Sequence, residues 1–180
     1  AALVCALGMF VAGRESLTTV REYIESACVA LVHVGIGGAF LASIPLADDG
    51  ALRVLVLVAV VAVNDTAAYF GGSRLRGPKF CVALSPNKTV SGSVCGFLGG
   101  AAVMTGVHYL AQRPVSLGYD LMCALALVAA AQAGDLAKSY LKRLHGVKDT
   151  GTLLPGHGGV LDRIDGFLAG APIIALWWMP

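Results

Sequence analysis

Charge is scarce in this chain. Asp, Glu, Lys and Arg make up only 13% of its 180 residues, against roughly 25% in ordinary soluble domains. With 57% hydrophobic residues and a mean hydropathy of +0.76, the composition excludes a water-soluble globule. Aromatics are few, at 7%. The five cysteines, Cys5, Cys28, Cys81, Cys95 and Cys123, include no C-x-x-C pair. That leaves no zinc site and no disulfide framework to expect, and the cysteines within apolar runs read as small hydrophobes. No G-x-x-x-x-G-K-[ST] loop is present, so a kinase built on that loop is excluded. Neither a Met nor a basic leader precedes the first apolar residues. The expectation is an N-terminally incomplete chain without a cleavable signal peptide.

What the chain has is hydrocarbon and glycine, with 23 Gly. A helix needs about 20 apolar residues to cross about 30 Å of bilayer core. Five stretches meet that need, at about 27–46, 52–72, 91–111, 118–143 and 160–179, and 1–11 reads as the end of a truncated helix. Breakers separate them: Pro45 with Asp48-Asp49-Gly50, Gly77-Pro78, Ser85-Pro86-Asn87, Pro114 and Pro155-Gly156. The expected architecture is an all-α, polytopic transmembrane bundle of about five full spans, with residues 1–180 as one membrane-embedded catalytic domain that lacks further N-terminal helices.

Alternating loops place Arg14, Arg21, Arg74, Arg76, Lys79, Lys88, Lys138, Lys142, Arg143, Lys148 and Arg163 on one side of the membrane. Only Arg53 and Arg113 fall on the other. The positive-inside rule makes the first side cytoplasmic. In the third full span Gly92, Gly96 and Gly100 recur every four residues, a spacing that brings helix backbones close and is preferred here to a phosphate-cradling loop.

The few polar residues within or beside the spans are costly there unless paired or used. Asp65 follows an apolar run and reads either as a hydrogen-bonded acid or as a metal or substrate ligand. Asp135 shares a helical stripe with Lys138, Ser139 and Lys142. Such a stripe suits a plain ion pair or a divalent cation beside phosphate oxygens. Downstream, Pro155-Gly156-His157-Gly158-Gly159 leads into a helix with Asp162 and Asp165 in its first turn. Glycines there expose backbone N–H groups to an anion, and the acids suit the helix dipole. Several carboxylates among Lys and Arg also fit Mg²⁺ with a polyphosphate, because Mg²⁺ takes one or two carboxylates plus waters and phosphates. For His157, phosphate donation or loop packing is favoured over a role as general base.

The run S-x-x-K-R-x4-K-D-x5-P-x-H-G-G-x-x-D-R-x-D, Ser139 to Asp165, resembles the signature of the phosphatidate cytidylyltransferase (CDP-diglyceride synthase) family at every fixed position. Asn64-Asp65-Thr66-Ala67-Ala68-Tyr69 resembles that family's N-D-T-G-A-Y. Leu84-Ser85-Pro86-Asn87-Lys88-Thr89 resembles its I-S-P-K-K-T, and Gly134-Asp135-Leu136 its G-D-L. The likeness spans roughly residues 50 to 175. This chain departs from the family at Asn87, where a Lys is usual, and at Val90-Ser91-Gly92, where Trp-Glu-Gly is usual.

The resemblance implies Mg²⁺-dependent conversion of CTP and phosphatidic acid into CDP-diacylglycerol and pyrophosphate, in phospholipid biosynthesis. It implies Asp135 and Asp162 as metal ligands, with Asp65 and Asp165 as further ligands or supports. Lys142, Arg143, Lys148 and Arg163 are expected to clamp phosphates. Lys88, Ser85, His157, Gly158 and Gly159 complete the substrate contacts. The expected setting is a bacterial inner membrane with the site on its cytoplasmic side and membrane lipids as surroundings. No nucleic-acid partner is expected, while a second cation and a homodimer are compatible with this reading. The competing class is an ion-coupled transporter using intramembrane acids.

Overall fold

The computed structural model describes residues 17–147, 149–151 and 159–177. Among the described residues the structure is helical, with a lone bridge between Lys79 and Thr89 and no named strand. Helix α1 (Leu17–Ala30) continues through a π-helical stretch, Leu31–Ile36, into α2 (Gly37–Ser43) and a 3-10 turn, Ile44–Leu46. Then follow α3 (Gly50–Leu75), α4 (Val90–Leu110), α5 (Leu117–Leu144) and α6 (Leu161–Trp177). Four helical rods are long and apolar enough to cross a membrane: Thr19–Leu46, Gly50–Leu75, Val90–Leu110 and Leu117–Leu144. The fifth expected span is the 17-residue α6. The expected helix at 1–11 lies outside the described residues.

The helix ends follow local chemistry. At the end of α3, Arg76 adopts the left-handed conformation (φ 48°, ψ 46°) just ahead of Gly77-Pro78. Pro78 disfavours helical geometry in the residue before it, so the chain turns there. Thr89 starts α4 by accepting the Gly92 N–H at 3.1 Å, and Ser116 starts α5 by accepting the Tyr119 N–H at 3.2 Å. Both satisfy a donor that a helix N-terminus otherwise leaves orphaned.

Lipid gives no hydrophobic push between helices, so close packing through small residues must hold the bundle. The glycine stripe on α4 shows how. A Cβ at Gly92 would stand 2.7 Å from the Ala68 carbonyl of α3, and one at Gly100 would stand 2.5 Å from Val128 Cγ2 of α5. Around these contacts Val56, Leu57, Val60, Met104, Leu127, Val128 and Ile174 form the buried core.

Two ends of the bundle differ in chemistry. At one end lie the start of α1, the 76–89 segment, the end of α5 and the start of α6. Contacts tie them together: Ser26 Oγ to His145 Nε2 at 2.7 Å, the Tyr140 hydroxyl to Glu25, and Arg143 Nε to the Leu84 carbonyl at 3.5 Å. At the other end the two outlying arginines are neutralised. Arg53 pairs with Asp49 at 2.5 Å and donates to the Ala175 carbonyl at 3.2 Å. Arg113 pairs with the fully buried Asp120 at 3.1 Å, which also meets His108 Nδ1 at 2.9 Å. Both ends therefore pair cations with acids, and the basic end keeps the larger share of Lys and Arg.

Removing one partner from a buried pair strands the other, at a cost of about 3–5 kcal/mol. Asp120→Ala is therefore expected to lower stability by about that much in denaturant unfolding. A variant as stable as the parent would show that the Asp120 cluster does not hold α4 to α5.

Candidate active site

A cavity of about 330 Å³ opens at the basic end, between α3, α4, α5 and the 76–89 segment. Its polar lining comes from Asn64, Asp65, Lys88, Ser93, Gln132 and Asp135 among others. Each side chain is placed by its helix. Asp65 lies on the last turns of α3. Gln132 and Asp135, three residues apart on α5, share one face. Lys88 is brought over α5 because the preceding segment folds back on itself. There Ser85 N–H bonds the Cys81 carbonyl at 2.8 Å, Lys88 N–H bonds the Ser85 carbonyl at 3.3 Å, and Val90 N–H bonds the Pro78 carbonyl at 2.8 Å.

Asp135 is the hinge of the arrangement. Its Oδ2 meets Lys88 Nζ at 2.6 Å and its Oδ1 meets Lys138 Nζ at 3.0 Å. The same Lys138 ammonium reaches Asp165 Oδ2 at 2.5 Å and the main-chain carbonyl of Asp162 at 3.5 Å. Lys138 is almost wholly buried, as befits a cation at membrane depth that must be paired. One ammonium thus gathers acids from α5 and α6 that are far apart along the chain.

Asp162 is more tightly bound than its neighbours. Lys142 Nζ meets its Oδ1 at 3.1 Å. Its Oδ2 accepts the Thr150 N–H at 2.8 Å, the Thr150 hydroxyl at 2.9 Å and the Gly159 N–H at 3.1 Å. The Gly159 amide therefore faces an anion, as its place before a helix predicts, but the anion is this chain's own carboxylate. Asp65 is the opposite case. Its Oδ1 accepts the Asn64 side-chain N–H at 2.9 Å, and among the described residues its Oδ2 has no partner and no lysine touches it.

The structure brings together Asp65, Lys88 and Asp135 on the cavity; Lys138 ties Asp165 to them through its carboxylate and Asp162 through its main-chain carbonyl, while Lys142 holds the Asp162 carboxylate off the cavity lining. Arg143 and Arg163 are set apart from the cavity lining, Arg163 exposed on the first turn of α6 and Arg143 against Leu84. Ser85 contributes main-chain bonds to the turn that presents Lys88. Lys148, His157 and Gly158 lie outside the described residues. Four participants were not among the expected site residues: Lys138, Asn64, Gln132 and Ser93. The spacing of Gln132 and Lys138, three residues either side of Asp135, is the signal that points to the two on α5.

A resident Mg²⁺ fits this donor set. Among the described residues no three His, Cys, Asp or Glu side chains form a closed metal cage. Mg²⁺ does not need one, since it takes one or two carboxylates and fills the rest of its octahedron with water and phosphate oxygens. Asp135 is partly open to the cavity, and Asp65 offers a free oxygen there.

The sequence model of a family described as the cytidylyltransferase family matches residues 1–179. Similar curated proteins bear the name phosphatidate cytidylyltransferase. That of Brucella melitensis is 47% identical over 131 residues, covering 71% of this chain and 47% of the relative. That of Bacillus subtilis is 37% identical over 147 residues, covering 81% and 55%. The Helicobacter pylori (strain J99) protein is 41% identical over 126 residues, covering 69% and 46%. The chain spans about half the length of the curated relatives it matches.

Proposed function

From a chain that belongs to the cytidylyltransferase family, we propose a membrane enzyme that transfers the cytidylyl group of CTP to phosphatidic acid. The products are CDP-diacylglycerol and pyrophosphate. The observation that carries this reading is the Lys138 ammonium, which holds Asp135, Asp165 and the Asp162 main chain together beside a cavity that also presents Lys88 and Asp65.

A phosphate oxygen of phosphatidate attacks the α-phosphorus of CTP, the new P–O bond forms, and the bond to the β-phosphate oxygen breaks as pyrophosphate departs. The nucleophile is already anionic near neutral pH, so no side-chain base is required. The site has to align the two phosphates and neutralise their charge. Asp135 and Asp162 would hold Mg²⁺, with Asp65 as a further ligand. The bound ion would offset the negative charge that builds on the α-phosphate and the leaving pyrophosphate. Lysines occupy these carboxylates in the resting protein: Lys88 and Lys138 on Asp135, Lys142 on Asp162. Lys88 and Lys142 would move to the phosphates of a bound nucleotide, which would leave carboxylate oxygens of Asp135 and Asp162 for the cation. Arg143 and Arg163, off the cavity lining, and Lys148 would contact those phosphates that extend beyond the cavity, arginines bidentately.

Placement of the site at the positively charged end supports a cytoplasmic-face reaction. There CTP can enter from water while the acyl chains of phosphatidate stay in the leaflet. Incubation of the full-length protein with radiolabelled CTP and phosphatidate tests the reading: a labelled, lipid-soluble product is expected. Label that stays water-soluble, or is merely carried into vesicles, would overturn the enzyme in favour of a transporter.

Lys142→Ala removes a charge-assisted contact of the kind that contributes about 1.5–3 kcal/mol. The expected result is a KM for CTP raised, or a kcat lowered, by about tenfold or more. Unchanged kinetics would remove Lys142 from the clamp.

A further inference from the structure

Beneath the acids of the cavity runs a line of uncharged polar side chains taken from three helices. Ser93 of α4 donates its hydroxyl to Gln132 Oε1 of α5. Gln132 Nε2 donates to Asn64 Oδ1 of α3 at 3.0 Å. Asn64 Nδ2 donates to Asp65 Oδ1 at 2.9 Å. The direction of every bond is forced from the acidic end. A carboxylate only accepts, so Asn64 must turn its NH₂ toward Asp65. Its carbonyl is then left to accept from the Gln132 NH₂, and the Gln132 carbonyl accepts from Ser93. Asn64 is buried, 2% exposed, and a buried amide without partners costs about 1–3 kcal/mol. The line is complete in the side-chain groups it uses.

Gly96 makes room for it. A Cβ there would collide with Asn64 Oδ1 and stand 3.1 Å from Gln132 Nε2. The middle glycine of the α4 stripe thus meets the relay's amides, whereas its two neighbours meet a carbonyl and a valine of the facing helices. The relay also ends on an acid unlike the others. Asp135, Asp162 and Asp165 are each held by at least one lysine, while Asp65 lines the cavity and, among the described residues, is oriented by an amide alone with its Oδ2 unbonded.

We infer that the Ser93–Gln132–Asn64 relay is a positioning device that fixes the Asp65 carboxylate with one oxygen turned to the cavity as a ligand for the divalent cation. This rests on the proposed reading that the cavity takes Mg²⁺. An amide donor orients the carboxylate without cancelling its charge, as a lysine would. Partners of this kind behind a metal ligand typically change metal affinity or activity by 10–100-fold.

The test is Mn²⁺ binding to the full-length protein with a non-hydrolysable CTP analogue and without lipid, read from the free-Mn²⁺ signal in electron paramagnetic resonance against the analogue alone. Asp65→Asn, Gln132→Met and Gly96→Ala are each expected to weaken Mn²⁺ binding by about tenfold. Ser93→Ala should weaken it by less, and Ser93→Thr, which keeps the hydroxyl, should restore it. Should Gln132→Met not fold, the Ser93→Ala and Ser93→Thr pair carries the comparison. Weakened binding in Asp65→Asn with parental affinity in Gln132→Met and Ser93→Ala would overturn the relay and leave the cation site standing. Parental affinity in Asp65→Asn itself would overturn the relay together with Asp65 as a ligand.

Discussion

Replacement of Asp135 by Asn is expected to abolish turnover while the protein still inserts and purifies. The amide keeps the shape of the carboxylate and loses its charge. Lys88 and Lys138 depend on that charge, at 2.6 and 3.0 Å, and so would the proposed cation. Loss of one preorganised charge contact at a reacting phosphate is worth about a thousandfold, which is about 4 kcal/mol of barrier. CDP-diacylglycerol synthesis measured on the purified variant checks this. A rate within tenfold of the parent would remove Asp135 from the centre of the site.

Lys138→Met is expected to have the largest effect on the folded state. Lys138 is 7% exposed and Asp165 8% exposed, and the two meet at 2.5 Å. Taking away the ammonium leaves Asp165 buried without its counter-charge and Asp135 with one partner fewer. Breaking such a pair costs about 3–5 kcal/mol, a large share of the 5–15 kcal/mol that holds an ordinary domain together. The thermal midpoint should fall sharply and turnover should be lost with it. Adding Asp165→Asn should return most of the stability, because the stranded charge is gone, and should not return the activity. If the single variant melted with the parent, Lys138 would not be what gathers α5 and α6.

Much of this was legible in the sequence because lipid imposes simple rules. Apolar runs long enough to span, broken by Gly77-Pro78 or Pro114, gave helix limits close to those of α3, α4 and α5. The glycine stripe was read as a packing face, and Gly92 and Gly100 sit against neighbouring helices as that reading expects. The expected first span, 27–46, is longer in the structure, Thr19–Leu46. Arg21 and Glu25 pair along the helix surface, at 2.6 Å, and let the helix continue into polar sequence.

The site was legible as a set of acids and lysines and not as a set of pairs. Spacing places Lys138 beside Asp135, but no spacing rule reveals that the same ammonium crosses to Asp165 on another helix. Gln132 and Ser93 belong to none of the motifs in the sequence. Their relay exists only once α3, α4 and α5 are packed. Gly159 was read as an open amide for a phosphate, whereas the fold supplies Asp162 first. That substitution of an internal anion for an external one depends on a contact three residues along the chain whose direction the sequence does not fix.

The most direct test is an anomalous-scattering map of the full-length protein crystallised with Mn²⁺ and a non-hydrolysable CTP analogue. A single strong peak is predicted at about 2.0–2.2 Å from carboxylate oxygens of both Asp135 and Asp162, near the distance Mg²⁺ adopts with oxygen. Lys142 should have moved from Asp162 to the nucleotide phosphates. A peak held by other residues, with Lys142 still on Asp162 and Lys88 still on Asp135, would contradict the account.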